Sequence, residues 1–197
     1  MKTESAFKIV GGGAVKDRQA MDFYPTPPDV TRALLDYFEE LRGLNILEPA
    51  CGDGAMSKVL LEYGNYVTSS DLRESGYGTP NVNFLEGYKD QRFDAIITNP
   101  PFNVAEDFIK QSLTVAPFVA MVLKSQYWHA KTRQPLFANQ TPAYVMPLTW
   151  RPDFLGGGAS LMDVIWTVWI HGDYTTKYIP LQRPGKANQP DLFQQAS

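Results

Sequence analysis

The chain has 197 residues, 44% hydrophobic and 20% charged, with a formal net charge of −3. That length suits one domain with a full α/β core, and that composition excludes a disordered chain. The charge argues against a protein held to nucleic acid by bulk electrostatics, while the single cysteine and two distant histidines exclude a disulfide framework and a zinc site.

Residues 1–21 carry Gly11-Gly12-Gly13 and scattered charges without periodicity, and are expected to be flexible. A stiff aromatic and proline segment follows, Asp22 to Pro28. Pro28 then opens a helix whose apolar side runs through Val30, Leu34, Tyr37, Phe38 and Leu41. Strands are predicted at Leu44–Leu47, Tyr66–Ser69, Val82–Leu85, Phe93–Thr98 and Pro117–Leu123, with helices at Ala55–Tyr63 and Ala105–Thr114. Late strands are predicted at Tyr144–Pro147 and Met162–Ile170, with a flexible joint at Gly156-Gly157-Gly158 before the second. Trp166 and Trp169 fall on opposite faces of that last strand. The tail from Pro180 is rich in Pro and Gln and is assigned no structure. The order predicts a mostly parallel seven-stranded sheet with an antiparallel edge addition and helices on both faces. No signal core or membrane-length run occurs, so a soluble, cytoplasmic protein without membrane contact is expected.

Two stretches carry chemistry. In the first, Ala95-Ile96-Ile97-Thr98 runs into Asn99-Pro100-Pro101-Phe102, where the prolines forbid both further strand pairing and an immediate helix. The result is a rigid ledge at the carboxyl end of a strand, where open α/β sheets keep their ligands. The Asn99 side-chain carbonyl and the Pro100 backbone carbonyl offer two acceptors, and Phe102 a flat ring. That set suits a planar primary amine. In the second, Glu48-Pro49-Ala50-Cys51-Gly52-Asp53-Gly54 has the strand, Gly turn and helix start of a nucleotide loop. Acids at 48 and 53 would repel a pyrophosphate, so an uncharged or cationic ligand is expected, and a sulfonium with an amino-acid tail fits. Asp71, 17 residues beyond Gly54, is placed to accept from ribose hydroxyls, with Leu72 beside it. Asn83 and Phe84 are candidates to bound an adenine ring.

The set DFYPTP (Asp22–Pro27), EPACGDG (Glu48–Gly54), Ser70-Asp71 and NPPF (Asn99–Phe102), in that order, resembles S-adenosylmethionine-dependent DNA adenine-N6 methyltransferases, most of all the small phage or prophage type. The resemblance implies a class I, Rossmann-like domain over residues 22–180, with S-adenosylmethionine as cofactor. It implies that Glu48, Pro49, Ala50, Cys51 and Gly52 hold the methionine part, that Asp71 holds the ribose, and that Tyr24, Pro25, Thr26 and Pro27 wall in the cofactor. It further implies a duplex DNA substrate with the target adenine flipped onto Phe102, Asn99 and Pro100. Where the family often carries an acid for the adenine amine, this chain has Asn83. No separate target-recognition domain fits, so a homodimer or a separate specificity partner is expected. Cys51 is read as packing, which disfavours cytosine C5 chemistry.

The run from Lys124 to Arg151 contains Lys124, Lys131, Arg133 and Arg151 without any acid, interleaved with Tyr127, Trp128, Phe137, Tyr144 and Trp150. It is the candidate DNA-contacting face. Competing functions are an RNA base amine, a protein glutamine amide and, least favoured, a non-enzymatic subunit retaining the fold.

Overall fold

The computed structural model describes residues 24–154 and 162–185. The expected flexible segment 1–21, Asp22, Phe23, Gly156–Gly158 and the tail beyond residue 185 lie outside the described residues.

Helix α1 (Pro28–Tyr37) starts with proline at its first position, where a missing N–H leaves no bond unmade. It stops four residues earlier than the apolar pattern suggests, because Phe38 leaves helical geometry at φ −104° and ψ 76°. Phe38 and Leu41 are nevertheless buried. Strand β1 (Asn45–Glu48), helix α2 (Ala55–Glu62) and strand β2 (Tyr66–Ser69) follow. Next come β3 (Ala95–Thr98), α3 (Ala105–Val115) and β4 (Phe118–Lys124). Two short 3-10 turns (Ser125–His129 and Lys131–Arg133) and α4 (Gln134–Asn139) lead to β5 (Tyr144–Pro147), β6 (Val164–Ile170) and β7 (Lys177–Tyr178).

The seven strands form one sheet in the order β2-β1-β3-β4-β6-β5-β7. Strands β2, β1, β3 and β4 pair in parallel, as do β5 and β7, whereas β6 runs antiparallel to both β4 and β5. All four β3 residues are buried, as expected for a parallel strand covered on both faces. One core layer joins α1 and α2 to the sheet through Leu34, Leu60, Ile97, Val122 and Trp166. The other joins α3 and α4 through Ile109, Leu136, Ile96, Met121 and Trp169. The two tryptophans therefore do fall on opposite faces, and both are core.

The strand count agrees with the sequence reading, but one member differs. Val82–Leu85 is not a strand. Asn81 sits at φ +60°, the amides of Glu86 and Gly87 both donate to the Asn83 carbonyl, and the Leu85 amide donates to Asn83 Oδ1. That side-chain bond mimics a backbone turn and competes with extended pairing. Phe84 drops into the core instead, its ring centroid 4.9 Å from that of Phe108. The seventh strand is β7, in a stretch to which the sequence reading gave no strand.

Candidate active site

Glu48 ends β1, Asp71 follows β2, Asn99 follows β3 and Lys124 ends β4. These four strands are neighbours and parallel, so their carboxyl ends form one edge with β1 flanked by β2 and β3 on opposite sides. That strand order makes a switch point, where a crevice opens in such sheets. A cavity of about 510 Å³ lies there, within the roughly 300–1,000 Å³ of small-molecule sites.

The Gly loop forms its floor. The Cys51 amide donates to the Ser70 carbonyl (3.0 Å), the Gly54 amide to the Cys51 carbonyl (2.8 Å), and the Gly52 amide to Asp71 Oδ2 (2.9 Å). Gly54 has φ +78°, and a Cβ there would fall 2.5 Å from the ring of Tyr77, so a side chain is excluded twice. Glu48 is buried and takes a hydrogen bond from the Ser57 hydroxyl, which also meets Ser69 Oγ at 2.6 Å. Burial pushes its carboxyl up to about 8, against the Ser57 bond that favours the charged form. The Cys51 thiol is pushed up to about 12, first by burial and then by Glu48 and Asp71, so it carries no thiolate at neutral pH. Asp71 behaves differently: burial opposes its charge, but the Arg73 side chain and the Arg73 and Gly52 amides hold it below its ordinary value. Arg73 Nε lies 3.2 Å and its amide 2.8 Å from Asp71 Oδ1.

Asn99 stands across the cavity from this loop only in sequence terms; the sheet makes them neighbours through the β1–β3 pairing. Asn99 Nδ2 donates to the Tyr24 carbonyl (3.4 Å) and to Thr26 Oγ1 (3.2 Å). Asn99 Oδ1 is buried and has no hydrogen-bond partner among the described residues. Phe102 lies outside the cavity lining, its ring 6.4 Å from that of Tyr24 and 4.1 Å from Lys124 Nζ.

Of the residues expected to hold the cofactor, Tyr24, Pro25, Thr26, Glu48, Pro49, Ala50, Cys51, Asp71, Leu72, Asn83 and Phe84 line the cavity, together with Asn99 and Pro101. Pro27, Gly52 and Pro100 do not line it, although Gly52 shapes it through Asp71. The sequence reading missed Met56, Arg73, Val104 and Phe108 on the lining, and Tyr77 on the loop. The placement of Arg73, two residues past Asp71, is the one a local reading would have found.

The candidate DNA-contacting run is less open than its composition suggests. Tyr127 is 5% exposed, and Arg133 lies over its ring at 3.7 Å while donating to its carbonyl at 3.0 Å. Trp128 stacks on Phe137 at 4.1 Å. Arg151 pairs with Asp163 at 3.1 Å, and Lys131 is exposed. Among the described residues no group of three or more His, Cys, Asp or Glu is arranged for a metal, and no helix is long and apolar enough to cross a membrane.

This architecture is the class I S-adenosylmethionine-dependent methyltransferase fold, a mostly parallel seven-stranded sheet with an antiparallel addition and helices on both faces. No protein-family model and no curated protein matches the sequence. Among solved structures, the chain is similar to a candidate RNA methyltransferase from Pyrococcus horikoshii, at 13% identity and TM-score 0.62 over 84% of this chain and 96% of that one. It is similar to a modification subunit described for a type I restriction enzyme of Vibrio vulnificus, at 14% identity and TM-score 0.61, over 83% of this chain but 48% of that subunit. A candidate class I methyltransferase from Listeria monocytogenes shares the fold at 11% identity and TM-score 0.61, over 93% of this chain and 72% of the other.

Proposed function

We propose that this chain transfers a methyl group from S-adenosylmethionine to the exocyclic N6 amine of adenine in DNA. The observation that carries the reading is Asn99 Oδ1, a buried acceptor with no partner among the described residues, beside a cavity floored by an acidic Gly loop. A buried carbonyl without a donor is costly, and native structures keep one where a ligand completes it.

The cavity fits the cofactor by the chemistry of its lining. Asp53 suits a cationic ligand, Glu48 becomes a partner for one only on giving up its proton, Asp71 offers a carboxylate to hydroxyls, and Leu72 and Phe84 offer apolar surface to a ring. Ribose hydroxyls reaching Asp71 share or displace Arg73. When bound, S-adenosylmethionine supplies an activated methyl group on a sulfonium. The chain's own residues do the rest. Asn99 Oδ1 and the Pro100 carbonyl accept the two amine hydrogens, which draws the nitrogen lone pair out of the ring and aims it in line with the methyl carbon. Phe102 stacks on the extruded base, and Lys131 approaches phosphate. Such a displacement needs no covalent enzyme intermediate, in keeping with a protonated Cys51.

The test supplies methyl-labelled S-adenosylmethionine with duplex DNA, single-stranded DNA, RNA and protein, followed by digestion to nucleosides and amino acids. Label is expected in N6-methyladenine from DNA. Label confined to RNA or to glutamine rejects the substrate while leaving the amine chemistry.

A further inference from the structure

An asparagine amide is nearly symmetric in shape, so the presentation of oxygen rather than nitrogen at residue 99 needs a cause. Two groups of the Tyr24–Thr26 segment meet Asn99 Nδ2: the Tyr24 carbonyl at 3.4 Å and Thr26 Oγ1 at 3.2 Å. A hydroxyl alone would accept either face of the amide, since it can rotate to donate. A backbone carbonyl only accepts. Turning the amide over would set Asn99 Oδ1 against the Tyr24 carbonyl, lone pair to lone pair. Together the two groups engage both Nδ2 hydrogens and leave Oδ1 as the one group still open on that side chain.

The segment is built to hold this position. Thr26 is 4% exposed, with prolines at 25, 27 and 28 around it. The chain then enters α1, where the Val30 amide donates to the Pro27 carbonyl and the Val30 carbonyl accepts from Trp166 Nε1 at 2.9 Å.

We propose that Thr26 is a positioning residue for Asn99: the Tyr24 carbonyl decides which way the amide faces, and Thr26 Oγ1 holds its nitrogen there, so that the site is acceptor-only. The inference rests on the amine-methylation reading and deepens it. An acceptor-only ledge selects bases that present hydrogens there, such as adenine and cytosine. It rejects guanine and thymine, whose oxo groups at the corresponding positions would bring lone pairs against Oδ1. Thr26 also lines the cofactor cavity, so its test must separate the two roles.

Thr26→Val keeps the shape and removes the acceptor, whereas Thr26→Ser keeps the acceptor. Three quantities are compared: the single-turnover rate of methyl transfer with both ligands saturating, cofactor affinity by calorimetry, and the thermal midpoint. For loss of one hydrogen bond on a catalytic group, Thr26→Val is expected to slow transfer about tenfold with cofactor affinity within about twofold of the parent. Thr26→Ser is expected to react near the parent rate. The double variant Thr26→Val/Asn99→Ala is expected to be no slower than Asn99→Ala, because the pinned group is already gone. A parent rate for Thr26→Val overturns the proposal, as does further slowing of the Asn99→Ala variant. A rate loss matched by an equal loss of cofactor affinity also overturns it, making Thr26 a cofactor wall alone. Thr26→Ala replaces Thr26→Val if the latter does not fold. If the label assay moves the substrate from DNA adenine to another amine, the same series on that amine still decides the pinning. The two failures are thus distinguishable.

Discussion

Two regions of this molecule look functional in the sequence, and only one of them, the Asn99 ledge, contributes to the lining of the cavity. At the Asn99 ledge the donors are engaged by the protein's own backbone and hydroxyl, and one acceptor is left without a partner. In the run from Lys124 to Arg151 most cations are engaged by the protein itself: Arg133 lies on Tyr127, Arg151 pairs at the surface with Asp163, and Lys124 sits over Phe102. Density of suggestive residues does not by itself mark a site. An unmet group alone does not mark one either, since Tyr127 Oη, Trp128 Nε1 and Trp150 Nε1 in the run are also buried without hydrogen-bond partners among the described residues. Asn99 differs because it also lines the cavity.

The comparison is broken most directly at Asn99. Asn99→Ala is expected to leave folding and cofactor binding intact and to lower single-turnover transfer on the order of 10²-fold or more, as for loss of one preorganised polar group. A parent rate with both ligands saturating would reduce the ledge to a structural strand exit. Asn99→Asp sharpens the point, because its second oxygen would face the Tyr24 carbonyl, and only a Thr26 hydroxyl turned to donate relieves that.

The Gly-loop side is expected to show itself in binding. Asp71→Ala removes a charged acceptor and should weaken cofactor affinity by roughly 1.5–3 kcal/mol, towards the lower end because Arg73 already competes for the same oxygens. Calorimetric titration checks this, and an unchanged affinity removes Asp71 from the ribose contact.

A third effect is pH-dependent. Glu48 is raised from about 4.5 to about 8 by burial, so the folded protein holds a proton there that the unfolded chain releases. Its contribution to stability is fully present below about pH 4.5 and is lost as pH rises through about 8. Glu48→Gln, which cannot titrate, is expected to flatten the fall in urea midpoint of the cofactor-free protein between pH 5 and 8.5. A slope identical to the parent's would show that Glu48 does not retain its proton.

The smallest effects belong to the outer run. Lys131→Ala is expected to weaken DNA binding at all sequences and to reduce the salt slope by about one. Arg151→Ala, whose charge already meets Asp163, is expected to change the slope less. Equal slopes for the two variants would erase the contrast between engaged and open cations.

Two strands were legible for different reasons. Ala95–Thr98, buried throughout, falls inside its predicted span as a short apolar run. Tyr66–Ser69, an edge strand with no buried residue, matches residue for residue through its aromatic and β-branched content. Val82–Leu85 misled because its apolar residues serve a turn closed by the Asn83 side chain, a local bond that periodicity does not register. Strand β7 was illegible for the opposite reason. Lys177 and Tyr178 are both exposed, so no burial pattern marks a strand that exists through its hydrogen bonds to β5. Within the site, residue identities at 48, 71 and 99 could be read in advance. Most of the company they keep could not: Arg73 on Asp71 is a contact within one loop, but Tyr77 over Gly54 and Thr26 on Asn99 depend on which segments the fold brings together.

The bond from Trp166 to the Val30 carbonyl sets an order of events during synthesis. The Tyr24–Thr26 segment emerges from the ribosome before the Asn99 ledge, and the helix that continues that segment is tied down by a strand that emerges after both. The ion pair from Arg183 to Asp29, 2.7 Å long, adds a second tie that comes later still. Until those residues leave the exit tunnel, a nascent chain can display the Gly loop and the ledge without these two ties on the helix beside them. The helix beside the cavity therefore gains these two ties only from residues made after every residue that lines the cavity.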